Sequence, residues 1–257
     1  MTTIKVRGLV IKEYETGEAD KRLLLLCKDV GRVMAYARGA RKPRSKFMAA
    51  AQIFTYSDFV LAKGKGFHSV AQADVIENFY DLRTDYDKLS AAYKIVDACA
   101  KTVPEKLECN DLLRLILKSL KKLMKKSTDD KLSSVQILNI FFLRFFDFHG
   151  LRPHSEECAV CGLPVGEMND GIHWGAEGIT CATHITPKMS KSFEGGVGET
   201  FLQKSFPHGL ELSPAAVAAI SYVLNSNLSV SFNFEASEKV LEELSKANKM
   251  LWEWHYG

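Results

Sequence analysis

The segment QIFTYSDFVLAKGKGFHSVAQADV, residues 52–75, predicts two β-strands joined by a short turn. Residues 52–61 are rich in β-branched and aromatic side chains, which favour strands. Residues 62–66 contain glycines at positions 64 and 66, a composition typical of a hairpin turn, and residues 67–75 return from it. This part of the chain is therefore predicted to form a β-hairpin.

Three further strands are predicted before this hairpin, at residues 4–11, 22–27 and 32–37. Short polar connections separate them, and the longer connection at residues 38–47 leads towards the hairpin. Five short strands within about 80 residues favour a small barrel of the OB type. The pattern alone leaves an SH3-like barrel open as the alternative.

From residue 81 onward the hydrophobic period changes from two residues to about 3.6, which indicates helices. The predicted helices cover residues 85–103, 111–126, 133–150, 213–222 and 237–255. The third is rich in phenylalanine and is expected to lie in the core. The fold class predicted from these periods is a multidomain α+β protein, with an OB-type domain at residues 1–80 and a helical domain at residues 81–257.

The composition excludes disordered, collagen-like and membrane-spanning chains. Hydrophobic residues make up 46% and charged residues 25%, as in ordinary folded proteins. No apolar run reaches the roughly 18 residues of a membrane helix. The first residues lack the apolar region of a secretory signal, so the expected location is the cytoplasm, with no membrane partner.

The charge is distributed unevenly along the chain, although its sum is only +3. Residues 1–80 contain 14 Lys and Arg against 8 Asp and Glu, whereas residues 151–257 contain 7 against 13. A polyanion is therefore expected to bind the N-terminal part.

A basic segment, residues 32–46, covers the third predicted strand and the connection after it, and contains no acidic residue. Glycine and proline place its centre on a loop, and two further lysines lie at the hairpin tip. Such a cluster attracts phosphates, and Tyr36 and Phe47 offer rings on which bases can stack. The predicted nucleic-acid contacts are Arg32, Arg38, Arg41, Lys42, Arg44, Lys46, Lys63 and Lys65.

Three cysteines and one histidine form the strongest local motif. Cys158-x-x-Cys161 is followed after nineteen residues by Cys181-x-x-His184, a spacing typical of zinc ribbons and knuckles. Three thiolates and one imidazole fill the four positions of zinc, so the predicted ion is structural, with one zinc per chain at about residues 155–187. His154 and His173 stay open as alternatives to His184.

Sequence motifs of common enzymes are missing. The chain has no phosphate-binding Gly-x-x-x-x-Gly-Lys-Ser/Thr loop, no Gly-x-Ser-x-Gly and no His-Glu-x-x-His. The cysteine pairs also lack the His-x-Glu partner of zinc deaminases. A protein without catalytic residues is therefore predicted.

Several of these stretches resemble the bacterial RecO family of DNA repair and recombination mediators. The matching stretches are RGLVI at residues 7–11, GEADKRLLLL at residues 17–26, ARGARKPRS at residues 37–45 and FHGLRP at residues 148–153, just before Cys158. The family members with a zinc site usually have a fourth cysteine, where this chain has His184.

The resemblance implies an OB-fold domain, a helical domain and a zinc-binding insertion. It also implies a non-enzymatic role in DNA repair and homologous recombination in the bacterial cytoplasm, at the nucleoid. The implied activities are binding of single- and double-stranded DNA, annealing of complementary strands, and help in loading the recombinase onto coated single strands. The implied protein partners are RecR and the acidic tail of single-strand-binding protein.

Lysines at positions 118, 121, 122, 125 and 126 are predicted to flank a stripe of Leu117, Leu120 and Leu123. This combination of charge and apolar surface is a hypothetical docking site for the acidic tail.

Two other classes of protein stay open. An RNA-binding barrel protein with a structural zinc site is the first, because a positive barrel binds either nucleic acid. A zinc-dependent hydrolase is the second, and the filled ligand set argues against it. The sequence does not exclude the RNA-binding alternative, and the most useful single observation is annealing of complementary oligonucleotides without ATP.

Overall fold

Five strands of the N-terminal part close into a barrel in the computed structural model of this protein. The structure describes residues 2–64, 67–105, 107–125, 132–184 and 210–257. The chain divides into two compact units, residues 1–130 and residues 131–257. The barrel strands of the first unit are β1 (Thr3–Thr16), β2 (Asp20–Cys27), β3 (Gly31–Ala37), β4 (Tyr56–Lys63) and β5 (His68–Glu77).

The long strand β1 makes closure of the barrel possible, because it pairs with two neighbours. Its first half is antiparallel to β4 and its second half is antiparallel to β2, with a bulge between Val10 and Lys12. Gly8 is paired with both Ser57 and Cys27. A Cβ atom on Gly8 would lie 2.8 Å from the Sγ of Cys27, so glycine is needed at this crossing.

The short parallel pairing of β3 with β5 completes the ring in the order β1-β2-β3-β5-β4. Alternate residues of each strand point inward, so that Leu23 and Leu25 of β2 share the barrel core with Phe59 and Leu61 of β4. The predicted OB-type barrel is confirmed.

Strand β4 begins at Tyr56, so the prediction of a strand from residue 52 is wrong by four residues. Phe54 has a left-handed backbone (φ 69°) and its side chain is fully buried. Its N–H donates to the Val10 carbonyl at 2.9 Å, and the Val10 N–H donates to Thr55 at 2.9 Å. The β-like composition of residues 52–55 reflects burial in a turn rather than pairing in a sheet.

Two helices, α1 (Tyr86–Thr102) and α2 (Asn110–Met124), follow the barrel after a 3-10 helix at Tyr80–Thr84. Asp85 caps α1 by accepting from the N–H groups of Asp87 and Lys88. Helix α1 packs against β1 and α2 against β2 within the first unit. The predicted domain boundary at residue 80 stays a prediction.

The second unit contains the helices α3 (Ser134–Phe148), α4 (Pro214–Asn225) and α5 (Glu238–Tyr256). The hydroxyls of Ser133, Ser213 and Ser237 accept hydrogen bonds from the first turns of these helices. Helix α3 packs against both α4 and α5. The prediction of a helical part after the barrel is confirmed.

A glycine ends the phenylalanine-rich helix α3. Gly150 is left-handed (φ 72°), and the N–H of Leu151 donates to the Phe146 carbonyl at 2.8 Å. The N–H of Gly150 donates to the Asp147 carbonyl at 3.0 Å, which completes a Schellman motif. The chain then turns towards Cys158.

A small sheet in the order β7-β6-β8 lies between α3 and α4 in the sequence: β6 (Ile172–Gly175), β7 (Gly178–Cys181) and β8 (Leu210–Glu211). The fully buried Trp174 of β6 donates its indole N–H to the Ala247 carbonyl of α5 at 3.2 Å. This bond and the burial of the ring attach the sheet to the helices. The part of the chain that the structure describes contains no helix long and apolar enough to span a bilayer.

Candidate functional site

A basic loop, residues 38–46, leaves the barrel where β3 ends at Ala37. Gly39 is left-handed (φ 69°) and donates its N–H to the Asp20 carboxylate at 2.7 Å. The N–H of Arg41 donates to the Ala19 carbonyl at 2.9 Å. Both bonds attach the loop to the turn between β1 and β2, so its backbone is held in a defined position.

The cationic side chains of the basic loop point to solvent, whereas its apolar side chains enter the barrel. Ala40 and the adjacent Phe47 belong to the buried barrel core. Phe47 is therefore a core anchor, and the prediction that its ring is available for base stacking is wrong. The exposed cations of the loop are Arg38, Arg41, Lys42, Arg44 and Lys46.

Two of the exposed cations of the loop have neighbours within the barrel unit. The Arg41 guanidinium lies 3.0 Å from the Glu15 carboxylate, and the Lys46 ammonium donates to the Ala71 carbonyl at 3.3 Å. Glu15 comes from β1, so the sequence pattern of unmixed positive charge does not persist in three dimensions. The uncharged Ala71 carbonyl leaves the positive charge of Lys46 in place, so the electrostatic field of the loop depends mainly on Arg38, Lys42, Arg44 and Lys46.

The structure does not bring Arg32 to the basic loop. Arg32 lies near the opposite end of β3, roughly 20 Å from Arg38 at about 3.3 Å per residue. Its guanidinium is half-buried and donates to the Ala100 carbonyl in α1 at 2.9 Å. Lys63 is exposed at the end of β4, and Lys65 lies outside the described residues.

A row of side chains that the sequence patterns did not reveal crosses the outer face of β1, β2 and β3. The strand register places Tyr14 opposite Arg22 and Arg22 opposite Tyr36. The Arg22 guanidinium lies over the Tyr14 ring at 4.8 Å, and Tyr36 contacts Phe67 with ring centroids 4.9 Å apart. These residues are neighbours because of the pairing between strands, and no local sequence pattern predicts that pairing.

The predicted docking surface on α2 lacks its apolar half. Leu120 and Leu123 are fully buried, and Leu117 is half-buried. Burial and the neighbouring charges of Lys122 and Arg114 lower the pKa of Lys118. The lysine face of α2 remains, with Lys126 outside the described residues, but these leucines form no exposed pocket.

Four side chains in the second unit form a cluster that can hold a metal ion: Cys158, Cys161, Cys181 and His184. Their ligand atoms all lie within 4.8 Å of one another. The Sγ atoms of Cys161 and Cys181 are 3.9 Å apart, and Nδ1 of His184 is 3.9 Å from the Sγ of Cys158. A tetrahedral zinc site with Zn–S bonds of about 2.3 Å has sulfur–sulfur edges of about 3.8 Å, so these donors fit such an ion.

Two turns bring the four ligands together. The N–H of Cys158 donates to the Leu163 carbonyl at 2.8 Å, and the N–H of Gly162 donates to the Cys158 carbonyl at 2.9 Å. Strand β7 ends at Cys181, and a 3-10 turn at Ala182–His184 carries the histidine back to the thiols. Each of the two motifs, Cys158-x-x-Cys161 and Cys181-x-x-His184, therefore directs both of its ligand side chains to one point.

The surroundings of two thiols favour the thiolate that metals bind. Burial raises the pKa of Cys158, but the N–H groups of Cys181, Cys161 and Val160 more than offset this and hold it below its usual value. The Thr183 hydroxyl lowers the pKa of Cys181. These bonds prepare the site for a cation.

In the described part of the chain, the two alternative candidate histidines and two further cysteines do not belong to this cluster. His154 is next to Glu157, with 3.9 Å between Nδ1 and Oε1, and His173 belongs to β6. Burial raises the pKa of Cys27 to about 12 and of Cys109 to about 11. Both thiols are therefore mainly protonated at neutral pH.

The chain combines a closed OB-type barrel, which has an anchored cationic loop, with a helical unit that contains a Cys3His cluster. It is therefore a basic barrel protein with a candidate metal centre. Two family models match it: Recombination protein O N terminal over residues 1–79 and Recombination protein O C terminal over residues 83–257. The chain belongs to the RecO family.

Several curated relatives carry the name DNA repair protein RecO. The protein from Acetivibrio thermocellus is 36% identical over 97% of this chain and 90% of its own length. The protein from Symbiobacterium thermophilum is 26% identical over 96% of this chain and 90% of its own length. The protein from Desulforamulus reducens is 29% identical over 89% of this chain and 92% of its own length. The similarity therefore extends over both units.

Proposed function

We propose that this protein is a non-enzymatic mediator of DNA repair and homologous recombination in the bacterial cytoplasm, at the nucleoid. In this role it binds single- and double-stranded DNA, anneals complementary strands and helps to load the recombinase onto strands coated by single-strand-binding protein. RecR and the acidic tail of single-strand-binding protein are its proposed protein partners. Membership of the RecO family supports this role.

The observation that carries the proposal is the anchored basic loop. Its backbone is tied to the turn between β1 and β2 by the bonds of Gly39 and Arg41, while Arg38, Lys42 and Arg44 extend into solvent. Because the loop is already ordered, little conformational entropy is lost when it meets a phosphate backbone. Lys63 is exposed at the end of β4, opposite His68 at the start of β5, and we propose that it contributes to the same DNA-binding surface.

Annealing follows from such a surface without nucleotide hydrolysis. Two complementary strands repel each other through their phosphates, and the lysine and arginine side chains reduce this repulsion while releasing counterions. A protein that holds either strand by its backbone also raises the local concentration of the other. The proposed DNA contacts are Arg38, Arg41, Lys42, Arg44, Lys46, Lys63 and Lys65.

We propose zinc as the ion of the Cys3His cluster, with a structural role. Three thiolates and one imidazole leave no position for a reacting water. The segment around the cluster is turn-rich, so a bound ion would link the turn at Cys158 to the strand that ends at Cys181. Folding of this segment would then depend on the metal.

The acidic tail of single-strand-binding protein would meet the lysine face of α2 by long-range attraction. Lys121 and Lys125 are exposed there, whereas Leu120 and Leu123 are buried. Attraction of this kind is weak at high salt. An apolar pocket for the end of the tail therefore has to be supplied by residues other than these leucines.

The decisive experiment is annealing of complementary fluorescent oligonucleotides by the purified full chain without ATP or any second protein. We expect the rate to exceed the spontaneous rate and to fall when Arg38, Lys42 and Arg44 are replaced by alanine. The replacement of Lys28, an exposed lysine at the turn between β2 and β3, is the matched control. A wild-type protein that neither binds nor anneals DNA, or that anneals only RNA, would overturn the proposal.

A further inference from the structure

We propose that the outer row formed by Tyr14, Arg22, Tyr36 and Phe67 binds the unpaired bases of single-stranded DNA, whereas the basic loop binds phosphates. This inference rests on the proposed function and divides its site into two parts of different chemistry. The row would distinguish single strands from duplexes, because only unpaired bases present their faces to a protein.

The strand register and two contacts place the four side chains of the row in sequence on the sheet. In the strand register, Tyr14 lies opposite Arg22, and Arg22 lies opposite Tyr36. All three side chains are therefore on one face of the sheet. That face is the outer one, because Leu23 and Ala35, the next residues along β2 and β3, point into the barrel core. Phe67 extends the row from the turn before β5 through its contact with Tyr36.

The row stays accessible although helices cover the neighbouring part of the same face. Leu24 and Leu26 of β2 also point outward, but they are buried, and α2 packs against this strand. By contrast, Tyr14, Arg22 and Tyr36 are only half-buried, and Phe67 is 41% exposed. The exposed ring of Phe67 in contact with Tyr36 is a flat apolar surface of the kind on which nucleobases stack.

Arg22 contributes stacking rather than internal hydrogen bonds. Its guanidinium lies 4.8 Å from the Tyr14 ring centre, and its Nε is buried without an acceptor among the described residues. A planar guanidinium held in this way presents a face to a base and also retains a positive charge for the backbone.

The basic loop lies directly beside the row. Its positive charges are complementary to the phosphates of a single strand, which is the proposed occupant of the row. Arg38 follows Tyr36 by two residues, and Lys63 is paired with His68, the residue after Phe67. A strand whose phosphates contact Arg38 and Lys63 would thus have its bases next to Tyr36 and Phe67. A duplex could use the loop, but its bases would remain stacked on each other.

The test compares three ligands of equal length: an oligo-dT strand, a strand of abasic sites with the same charge, and a duplex, which carries about twice as many phosphates. Binding of the full chain is measured by fluorescence anisotropy over a range of salt concentrations. For Tyr36→Leu combined with Phe67→Leu we expect roughly a five-fold loss or more per ring for oligo-dT, with an unchanged salt slope and unchanged affinity for the other two ligands. Tyr36→Phe should retain wild-type affinity.

The matched control is Tyr86→Leu, an 83% exposed tyrosine at the start of α1, which should leave all three affinities unchanged. Circular dichroism confirms that each variant is folded. Unchanged oligo-dT affinity in the folded double variant, or an equal loss for the abasic strand and the duplex, would overturn the stacking row. Failure of the wild type to bind any of the three ligands would instead overturn the proposed function.

Discussion

The Arg41 guanidinium lies 3.0 Å from the Glu15 carboxylate, and Glu15 is 69% exposed near the end of β1. This contact brings an acidic residue to a loop that contains none in its own sequence. A carboxylate in this position neutralises part of the charge of Arg41 and repels an approaching phosphate. The pair therefore weakens the interaction of the loop with DNA.

Removing this carboxylate should strengthen DNA binding. For Glu15→Gln we expect roughly two- to five-fold tighter binding of oligo-dT at low salt, the range of an exposed ion pair. The gain should shrink as salt rises, because exposed charges are screened within about 10 Å at 0.1 M. Fluorescence anisotropy at several salt concentrations measures both effects.

The control for this change is Glu108→Gln, which removes one negative charge from the segment before α2. Glu108 accepts a hydrogen bond from Asn110 at 2.6 Å, and the glutamine oxygen can still accept it. This variant should bind DNA like the wild type. Equal gains in the two variants would show that net charge, and not the position of Glu15, determines the affinity.

The cations of the basic loop should determine the salt dependence of binding. Replacing Arg38, Arg41, Lys42 and Arg44 together with alanine should reduce the slope of log affinity against log salt by roughly 0.7 for each phosphate that is no longer neutralised. The measurement is a salt titration of oligo-dT binding. An unchanged slope in a folded variant would exclude the loop from the DNA site.

Arg32 should behave differently from these four residues, because its guanidinium donates to the Ala100 carbonyl. We expect Arg32→Gln to lower the free energy of unfolding by about 1 kcal/mol, because the partly buried Ala100 carbonyl loses its hydrogen-bond donor. The salt slope of DNA binding should stay unchanged. Chemical denaturation and the same salt titration test the two halves of this prediction.

Local patterns in the sequence were sufficient to predict the barrel strands and the helices, but they did not predict the small sheet of β6, β7 and β8. Alternation and turn composition indicated the five barrel strands, and the hydrophobic period of about 3.6 residues indicated helices that the structure confirms. The Cys-x-x-Cys and Cys-x-x-His motifs also predicted the candidate metal site, because each motif lies on one short turn. These signals lie within a few residues of the feature that they predict.

Features that depend on distant parts of the chain could not be predicted in this way. Phe47 packs in the barrel core and Arg32 donates a hydrogen bond to α1, although the sequence predicted that both belong to one nucleic-acid-binding segment. The row from Tyr14 to Phe67 exists only because of strand register, and the Glu15 contact depends on the same pairing. Leu120 and Leu123 are likewise buried by tertiary packing. Helical periodicity shows that a helix has an apolar face, but it does not show whether that face packs in the core or binds a partner.

Loss of one thiol of the Cys3His cluster should remove the metal and destabilise the second unit. We expect one zinc per wild-type chain by mass spectrometry of metals, and none in Cys181→Ser. The free energy of unfolding should fall by about 4 kcal/mol or more, as for other losses of a structural metal. Cys109→Ser, at a cysteine outside the cluster, should keep both the zinc and the stability.

The identity of the fourth ligand can be tested with three histidine variants. His184→Ala should lose zinc, because Nδ1 of His184 lies 3.1 Å from the Sγ of Cys181. His154→Ala and His173→Ala should retain it, since neither residue belongs to the cluster. Zinc content at full occupancy in His184→Ala would contradict the proposed Cys3His site.

Gly178 should be indispensable for the fold of the metal-binding segment. It is left-handed (φ 110°), and a Cβ atom there would lie 2.3 Å from the carbonyl oxygen of His154. Since the clash is with backbone, no side-chain movement can relieve it, and we expect Gly178→Ala to cost about 3 kcal/mol or more in unfolding free energy. Gly166→Ala in the same segment is the matched control, because nothing lies within 4 Å of its added Cβ. Thermal unfolding of both zinc-loaded variants measures the difference, and equal midpoints would contradict the close approach of the two backbone segments.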